Sequence, residues 1–238
     1  MSPKSYRRGY PVAVLIGLEP DHAAIWQIFS NVAKHQQTIP LNGSRNDSKA
    51  VYSFHETIVN AIRPTLKEGV KSIIIAAPPR TNFAQDFLSH IKSHHNWLVQ
   101  GAGKAVFSTI TGSADTPQQV AALTKKGTFK ESISETTAQE TENLLEVLEK
   151  KLNNSANLVF FSLQEAENLV LNQQAEGKPK PEYLLLTDEY FSSSRQKYRI
   201  QRLMQVAANR GVKTRVINAE ATAGKRVTQL GGIVCIAL

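Results

Sequence analysis

The sequence predicts an α/β protein of two domains. In both halves of the 238-residue chain, short apolar runs that suit strands alternate with segments whose apolar residues recur every three or four positions. Charge also divides the chain, because residues 1–130 carry a net +8, residues 131–190 carry −8 and residues 191–238 restore +8. We therefore expect one domain over residues 1–130 and a second over residues 134–238.

The first domain is expected to mix strands and helices. Its clearest strand is Ser72–Ala77 (SIIIAA), which is apolar throughout, as a strand buried on both faces is, and which ends at Pro78-Pro79. The expected elements are strands at Tyr10–Leu18 and His22–Ser30, a loop at Pro40–Ser48, a helix at Lys49–Lys67, the strand at Ser72–Ala77, a helix at Phe83–His94 and a strand at Ala105–Ile110.

The second domain is expected to be an α-β-α sandwich. It opens with an amphipathic helix at Thr137–Leu152, where leucines share one face and glutamates surround them. After it we expect an apolar piece at Leu158–Phe161, a helix at Leu163–Gln173, a connector at Gly177–Pro181, strands at Tyr183–Thr187, Thr214–Asn218 and Ile233–Leu238, and helices at Gln196–Asn209 and Lys225–Leu230.

Composition excludes several classes of protein. No apolar run approaches the length of about 18 residues that spans a bilayer, and the basic start lacks the apolar core of a secretory signal. The single cysteine, Cys235, cannot form an internal disulfide and lies in an apolar run, where a small buried side chain is expected. We expect a cytoplasmic protein without membrane contact.

Catalytic and metal-binding motifs are scarce. Gly101–Lys104 is too short for a phosphate-binding loop and lacks its Gly-Lys-Ser/Thr ending. His90 and His94 have the spacing of a zinc-binding pair, with His95 beside them, but Ile91 occupies the place of the general-base glutamate. Solvated histidines at a helix end are the simpler interpretation. We expect no catalytic residues, no metal and no cofactor.

Basic residues concentrate near the end of the chain. Nine Lys/Arg and a single acid follow Tyr190, and a field this concentrated suits phosphates or an acidic partner. The residues expected to bind RNA or phosphate are Arg195, Lys197, Arg199, Arg202, Lys225 and Arg226. Arg195, Arg199 and Arg202 are four and three residues apart and should share one helix face, while Ile200, Leu203, Met204 and Ala207 should share the face that packs. The alternative is a solubilising face that pairs with the acidic block at residues 131–190.

Two motifs of the second domain are distinctive: Tyr183–Phe191 (YLLLTDEYF) is an apolar strand that leads into Thr-Asp-Glu, and Ala223-Gly224 is followed by Gln229–Ile233 (QLGGI). They resemble the Pelota and eukaryotic/archaeal class 1 release-factor family, in which a Pelota strand leads into Ser/Thr-Asp-Glu and a similar run lies near the end of Pelota. In the first domain, Ile39-Pro40, the run FHETIVNAI from Phe54 and Val70–Pro78 follow in the family's order.

The resemblance implies a fold, a function and partners. In that family the middle domain is ribonuclease H-like, and the last domain resembles kink-turn-binding ribosomal proteins. Members mimic tRNA on the ribosome together with an elongation-factor-like GTPase. Release factors hydrolyse peptidyl-tRNA through a Gly-Gly-Gln loop, whereas Pelota lacks this triplet and promotes the rescue of stalled ribosomes.

The sequence departs from the family pattern in three ways. The loop at the Gly-Gly-Gln position, which holds Asn42, Gly43, Ser44, Arg45 and Asn46, has no glutamine. Where Pelota has Pro-Gly-Phe, a motif tied to GTPase contact, this chain has Pro78, Pro79 and Arg80. The sequence also has no counterpart of the amino-terminal domain that reaches the decoding centre.

Three hypotheses for the function follow. The first is a non-catalytic, Pelota-like adaptor that binds the ribosome, rRNA or another ribonucleoprotein in ribosome rescue or mRNA surveillance. The second is a repurposed structural component that binds one protein partner through the acidic helix Thr137–Leu152. The third is a divergent peptidyl-tRNA hydrolase that works through the loop at Asn42–Asp47.

Overall fold

The computed structural model describes residues 9–101, 103–153, 158–171 and 179–238. Within them the chain forms two compact units. The first holds the residues up to 66 together with 70–140, and the second holds 67–69 with 141–238. Each unit is built on one sheet flanked by helices, so the predicted α/β class is confirmed.

The first unit contains a five-stranded sheet. Its elements are β1 (Pro11–Leu18), β2 (His22–Phe29), β3 (Ala33–Pro40), α1 (Ser48–Lys67), β4 (Ser72–Ala77), α2 (Phe83–His94), α3 (Asn96–Val99), β5 (Val106–Thr111), α4 (Pro117–Lys125) and the start of α5 (Gly127–Leu152). The strand order is β3-β2-β1-β4-β5, with β2 antiparallel to its neighbours and β1, β4 and β5 parallel. This is the order expected of a ribonuclease H-like domain.

Helices cover both faces of this sheet. On one face α1 and α2 bury Phe54, Ile58, Ile62 and Phe87 against the sheet, and on the other α4 and the first part of α5 bury Val120, Leu123 and Phe129. Because β4 lies between these two layers, every residue of SIIIAA is buried. The uniform apolarity of that strand therefore reflects its central position.

The second unit is an α-β-α sandwich. Its elements are the end of α5, β6 (Val159–Phe160), α6 (Leu163–Leu171), β7 (Pro181–Thr187), α7 (Asp188–Ser193), α8 (Lys197–Asn209), β8 (Lys213–Ile217), α9 (Thr222–Gln229) and β9 (Ile233–Ala237). The strand order is β6-β9-β7-β8. Helices α6 and α8 pack on one face, while α9 and the end of α5 pack on the other.

Cys235 lies in β9 and is fully buried. Burial raises the pKa of its thiol to about 12, so the side chain is a small apolar group of the core, as predicted.

Several predicted boundaries were wrong. Helix α5 begins at Gly127 instead of Thr137, and α9 begins at Thr222 instead of Lys225. Strand β3 and helices α3, α4 and α7 were not predicted. The expected helix end at Gln173 and the connector residues Gly177 and Lys178 lie outside the described residues. No described helix combines the length and apolar character of a membrane span.

Candidate functional site

Helix α8 presents the basic surface of the second unit. Its inner face buries Ile200, Leu203 and Ala207, as the predicted spacing requires. Arg195, which was expected to share the helix face of Arg199 and Arg202, lies instead in the turn before the helix, since α8 begins at Lys197.

The six predicted RNA-binding residues fall into two groups. The first group is exposed and forms no ion pair with any residue that the structure describes. It comprises Arg195, Lys197, Arg202 and Lys225. Exposed, unneutralised cations of this kind are the groups that contact phosphates.

Arg199 belongs to the second group, because a carboxylate already occupies its guanidinium. Its Nε donates to Glu167 Oε1 and Oε2 at 2.7 and 2.8 Å, and Nη2 donates to Oε2 at 2.5 Å. These hydrogen bonds raise the pKa of Arg199. Glu167 lies in α6, within the acidic block at residues 131–190.

Arg226 in α9 is also paired with that block. Its Nε donates to Glu149 Oε1 at 2.6 Å, and Glu149 belongs to α5. The alternative in which basic and acidic segments pair therefore applies to Arg199 and Arg226.

Other basic residues of the segment stabilise the fold. Arg210 donates to the carbonyls of Val170 and Leu171 and so closes the end of α6. Lys213 pairs with Glu182 at 3.1 Å, and Arg215 is buried. The high charge of the segment therefore overstates the number of cations that face solvent.

The loop at the release-factor Gly-Gly-Gln position connects β3 to α1. Its cation, Arg45, is half-buried over two rings, with the guanidinium carbon 4.1 Å from the centre of Phe83 and 4.9 Å from that of Phe54. It donates to the carbonyls of Glu19 and Pro20 in the β1–β2 turn, and burial lowers the pKa of Arg45. Arg45 thus anchors the loop to the domain.

The remaining loop residues are exposed but locally bonded. Asn42, Gly43, Ser44 and Asn46 face solvent, and the amide of Asn46 donates to Ser44 Oγ at 3.2 Å. The amide of Lys49 donates to Asp47 Oδ1 at 2.9 Å, which starts α1. The loop is therefore a compact turn that leads into a helix.

The turn after β4 holds Pro78, Pro79 and Arg80. Arg80 is exposed and has a φ of 62°, the left-handed region that glycine normally occupies. Thr81 Oγ1 donates to the carbonyl of Pro78 at 2.8 Å and closes the turn. Arg80 thus adopts a backbone conformation that is unusual for a residue with a side chain.

A cluster that the sequence interpretation set aside lies elsewhere in the first unit. His90 and His95 are buried and not solvated, and both Nε2 atoms contact Glu56 Oε1, at 3.0 and 2.7 Å. Burial lowers the pKa of His90, although Glu56 opposes this effect. Burial opposes ionisation of Glu56, but the hydrogen bonds of His95 and His90 outweigh it and lower the pKa of Glu56.

His94, the expected partner of His90, is exposed and outside this cluster. The sequence drew attention to His90 and His95, but it could not show that both contact Glu56. That relation depends on the packing of α1 beside α2, and only the change of direction after His94 turns His95 inward.

Comparisons with known proteins show likeness in fold. No family model matches the sequence, and no curated protein is detectably similar to it. Among solved structures, ribosome-bound archaeal Pelota with ABCE1 is similar at a TM-score of 0.54 and 18% identity, over 94% of this chain and 61% of that one.

A second similar structure is Dom34 of S. cerevisiae, described as a translation termination-like factor involved in RNA quality control pathways and interacting with Hbs1. It has a TM-score of 0.51 and 20% identity over 99% of this chain and 65% of that one. The chain thus spans less than two thirds of the length of both proteins. The resemblance predicted from the sequence is confirmed at the level of the fold, which is that of the middle and carboxy-terminal domains of Pelota proteins.

Proposed function

We propose that the chain is a non-catalytic, Pelota-like adaptor that binds ribosomes or another ribonucleoprotein in ribosome rescue or mRNA surveillance. The observation that supports this proposal is the shared fold of both units with archaeal Pelota, which was captured on the ribosome. The site of action is then the cytoplasm.

The surface chemistry of the second unit is compatible with this role. Arg195, Lys197, Arg202 and Lys225 offer four exposed charges without an ion pair to the described part of the chain. Such charges hold phosphates without reading bases, so binding releases counterions and weakens steeply as salt rises.

Peptidyl-tRNA hydrolysis has less support. The loop at Asn42–Asp47 contains no glutamine to orient water, and its cation Arg45 is held by Glu19, Pro20 and two aromatic rings. We propose that this loop has a structural function and that no cofactor is required.

A GTPase partner is a further part of the proposal. The turn Pro78–Arg80 occupies the position of a motif tied to GTPase contact in the family, and Pro79 and Arg80 are exposed. An elongation-factor-like GTPase is therefore the protein partner to test first.

Ribosome co-sedimentation tests the proposal. The triple variant Arg195→Glu, Lys197→Glu and Arg202→Glu should no longer sediment with ribosomes, whereas the wild type should do so in a salt-dependent manner. The matched control is Lys92→Glu, Lys125→Glu and Lys126→Glu, which changes net charge equally at exposed positions of the first unit. If both variants sediment with ribosomes as the wild type does, the surface formed by Arg195, Lys197 and Arg202 does not bind ribosomes. If both variants fail to sediment with ribosomes, net charge alone explains the binding.

One observation favours the alternative of a structural component that binds a protein. Glu142 and Glu146 are exposed and lie four residues apart on α5, so they share a face. Affinity purification distinguishes the two functions. One protein recovered without RNA, and lost on changing both glutamates to glutamine, would favour the alternative.

A further inference from the structure

Three side chains of residue types that bind metals converge in the first unit. They are Glu56 from α1, His90 from the last turns of α2 and His95 directly after that helix. One potential ligand atom from each of these three residues lies within 4.8 Å of those of the other two. Both imidazoles already contact the same carboxylate oxygen.

The backbone that carries these groups is firmly packed. Helix α1 buries Ile58 and Ile62, and α2 buries Phe87 and Ile91, in one common core. His90 and His95 are 8% and 6% exposed, while the Glu56 side chain is 30% exposed. The ligand atoms are therefore held together in advance, and the Glu56 side chain is the most exposed of the three.

We propose that Glu56, His90 and His95 bind one divalent transition-metal ion, and that zinc is the ion they suit best. Two imidazole nitrogens and one carboxylate oxygen form a donor set that zinc accepts, whereas magnesium and calcium require oxygen donors. Tetrahedral bonds of about 2.0–2.1 Å place ligand atoms about 3.3 Å apart, so the two contacts to Glu56 Oε1, now 3.0 and 2.7 Å, need to lengthen by about 0.3–0.6 Å.

A second observation points to the same place. The His55 side chain is buried, and its Nε2 has no hydrogen-bond partner among the residues that the structure describes. Its ring centre lies 5.1 Å from that of His90. An unsatisfied buried nitrogen is rare in folded proteins, and this one belongs to a ring that neighbours a proposed ligand.

The assignment departs from the expectation of no metal, and it involves a different pair of histidines from the helically spaced one. His90 and His94 have the helical spacing of a zinc-binding pair, but His94 is exposed and is not one of the three converging groups. His94 therefore provides a matched control, because it is an imidazole at the same helix end. Its ring centre lies 4.9 Å from that of His90.

Calorimetric titration with Zn²⁺, together with the visible absorption of bound Co²⁺, tests the proposal on the full chain. We expect one ion per chain in the wild type and in His94→Ala. Glu56→Gln, an isosteric change at a partly exposed position, should weaken Zn²⁺ binding by more than about 100-fold, because second-shell changes alone cost 10- to 100-fold. His95→Ala should have the same effect.

Thermal unfolding provides a second measurement in case His95→Ala, a change at a buried position, folds poorly. Zn²⁺ should raise the unfolding midpoint of the wild type and His94→Ala, but not that of Glu56→Gln. Failure of the wild type to bind Zn²⁺ stoichiometrically would overturn the proposal. So would binding that survives Glu56→Gln and is lost in His94→Ala, because the exposed pair would then hold the ion.

Discussion

Arg45 stacks on Phe83, with its guanidinium carbon 4.1 Å from the centre of the ring. The same guanidinium donates to two backbone carbonyls of the β1–β2 turn. One side chain thus connects the loop before α1, the first residue of α2 and the turn after β1.

Arg45→Lys should therefore destabilise the protein by about 1–2 kcal/mol, because an ammonium cannot stack its plane on Phe83 and reach both carbonyls. Urea unfolding measures this difference. Arg80→Lys, an equal change at an exposed arginine, should alter the free energy of unfolding by less than about 0.5 kcal/mol. If the two changes alter the free energy of unfolding equally, the contacts of the Arg45 guanidinium do not contribute to stability.

The proposed function predicts that Glu167→Gln strengthens RNA binding. The carboxylate of Glu167 occupies Arg199, so its removal releases a guanidinium beside Lys197 and Arg202. Affinity should rise, and the slope of log K against log salt should steepen by up to about 0.9 for one added phosphate contact. Glu165→Gln on the same helix, which leaves Arg199 paired, is the control. An unchanged slope for Glu167→Gln would place Arg199 outside the RNA contact.

Gly224→Ala should disrupt the second unit. A Cβ at Gly224 would lie 1.9 Å from the carbonyl oxygen of Asn218, so the α9 backbone or the preceding loop must move. Overpacking against backbone costs about 1–3 kcal/mol or more. Gly103→Ala, where a Cβ would meet nothing within 4 Å, is the control. Urea unfolding should show a clear loss of stability for Gly224→Ala and little change for Gly103→Ala.

Arg80→Gly should be more stable than Arg80→Ala. Both variants lose the exposed side chain, but only glycine adopts the φ of 62° without a clash between Cβ and the backbone. The left-handed conformation costs an L-residue about 1 kcal/mol, and that difference should separate the two unfolding midpoints. The reverse order would mean that the turn relaxes out of this conformation.

His22 should make stability depend on pH. Burial lowers its pKa, but hydrogen bonds to Asp21 and Asp115 outweigh that effect and raise the pKa above the ordinary value of 6.5. A raised pKa means that the folded state holds the proton more tightly, so the contribution is complete below about pH 6.5 and is lost as pH rises through the folded pKa.

His22→Gln should accordingly lower stability most in mildly acidic buffer and least in alkaline buffer. Arg45 adds a distant charge that acts on Asp21 and does not titrate in this range. Chemical denaturation at several pH values measures the difference between variant and wild type. If the difference in free energy of unfolding between the variant and the wild type does not vary with pH, the charge of His22 does not contribute to stability.

The sequence was informative where pattern and burial coincide. SIIIAA predicted β4, and the spacing of Ile200, Leu203 and Ala207 predicted the inner face of α8. Strand β3 was missed because its sequence, AKHQQTIP, buries only Ile39 and so has no apolar alternation. Helix α4 had a readable signal, since Thr116 and Gln119 form a capping box and Pro117 stands at the first helical position.

The candidate sites were harder to predict, because charge does not reveal pairing. The composition of the last segment could not show that Glu167 and Glu149 occupy two of its arginines. Nor could it show that Arg45 lies over aromatic rings, or that Glu56 meets His90 and His95 across two helices. These relations depend on tertiary packing between distant segments.

The fully buried thiol in β9 can be used to measure how often the second unit unfolds locally. Because Cys235 is the single cysteine and is held protonated inside the sheet, a thiol-specific reagent cannot reach it until the strands around it separate. The rate of alkylation in the native protein thus follows the local unfolding of this unit alone, without any introduced probe.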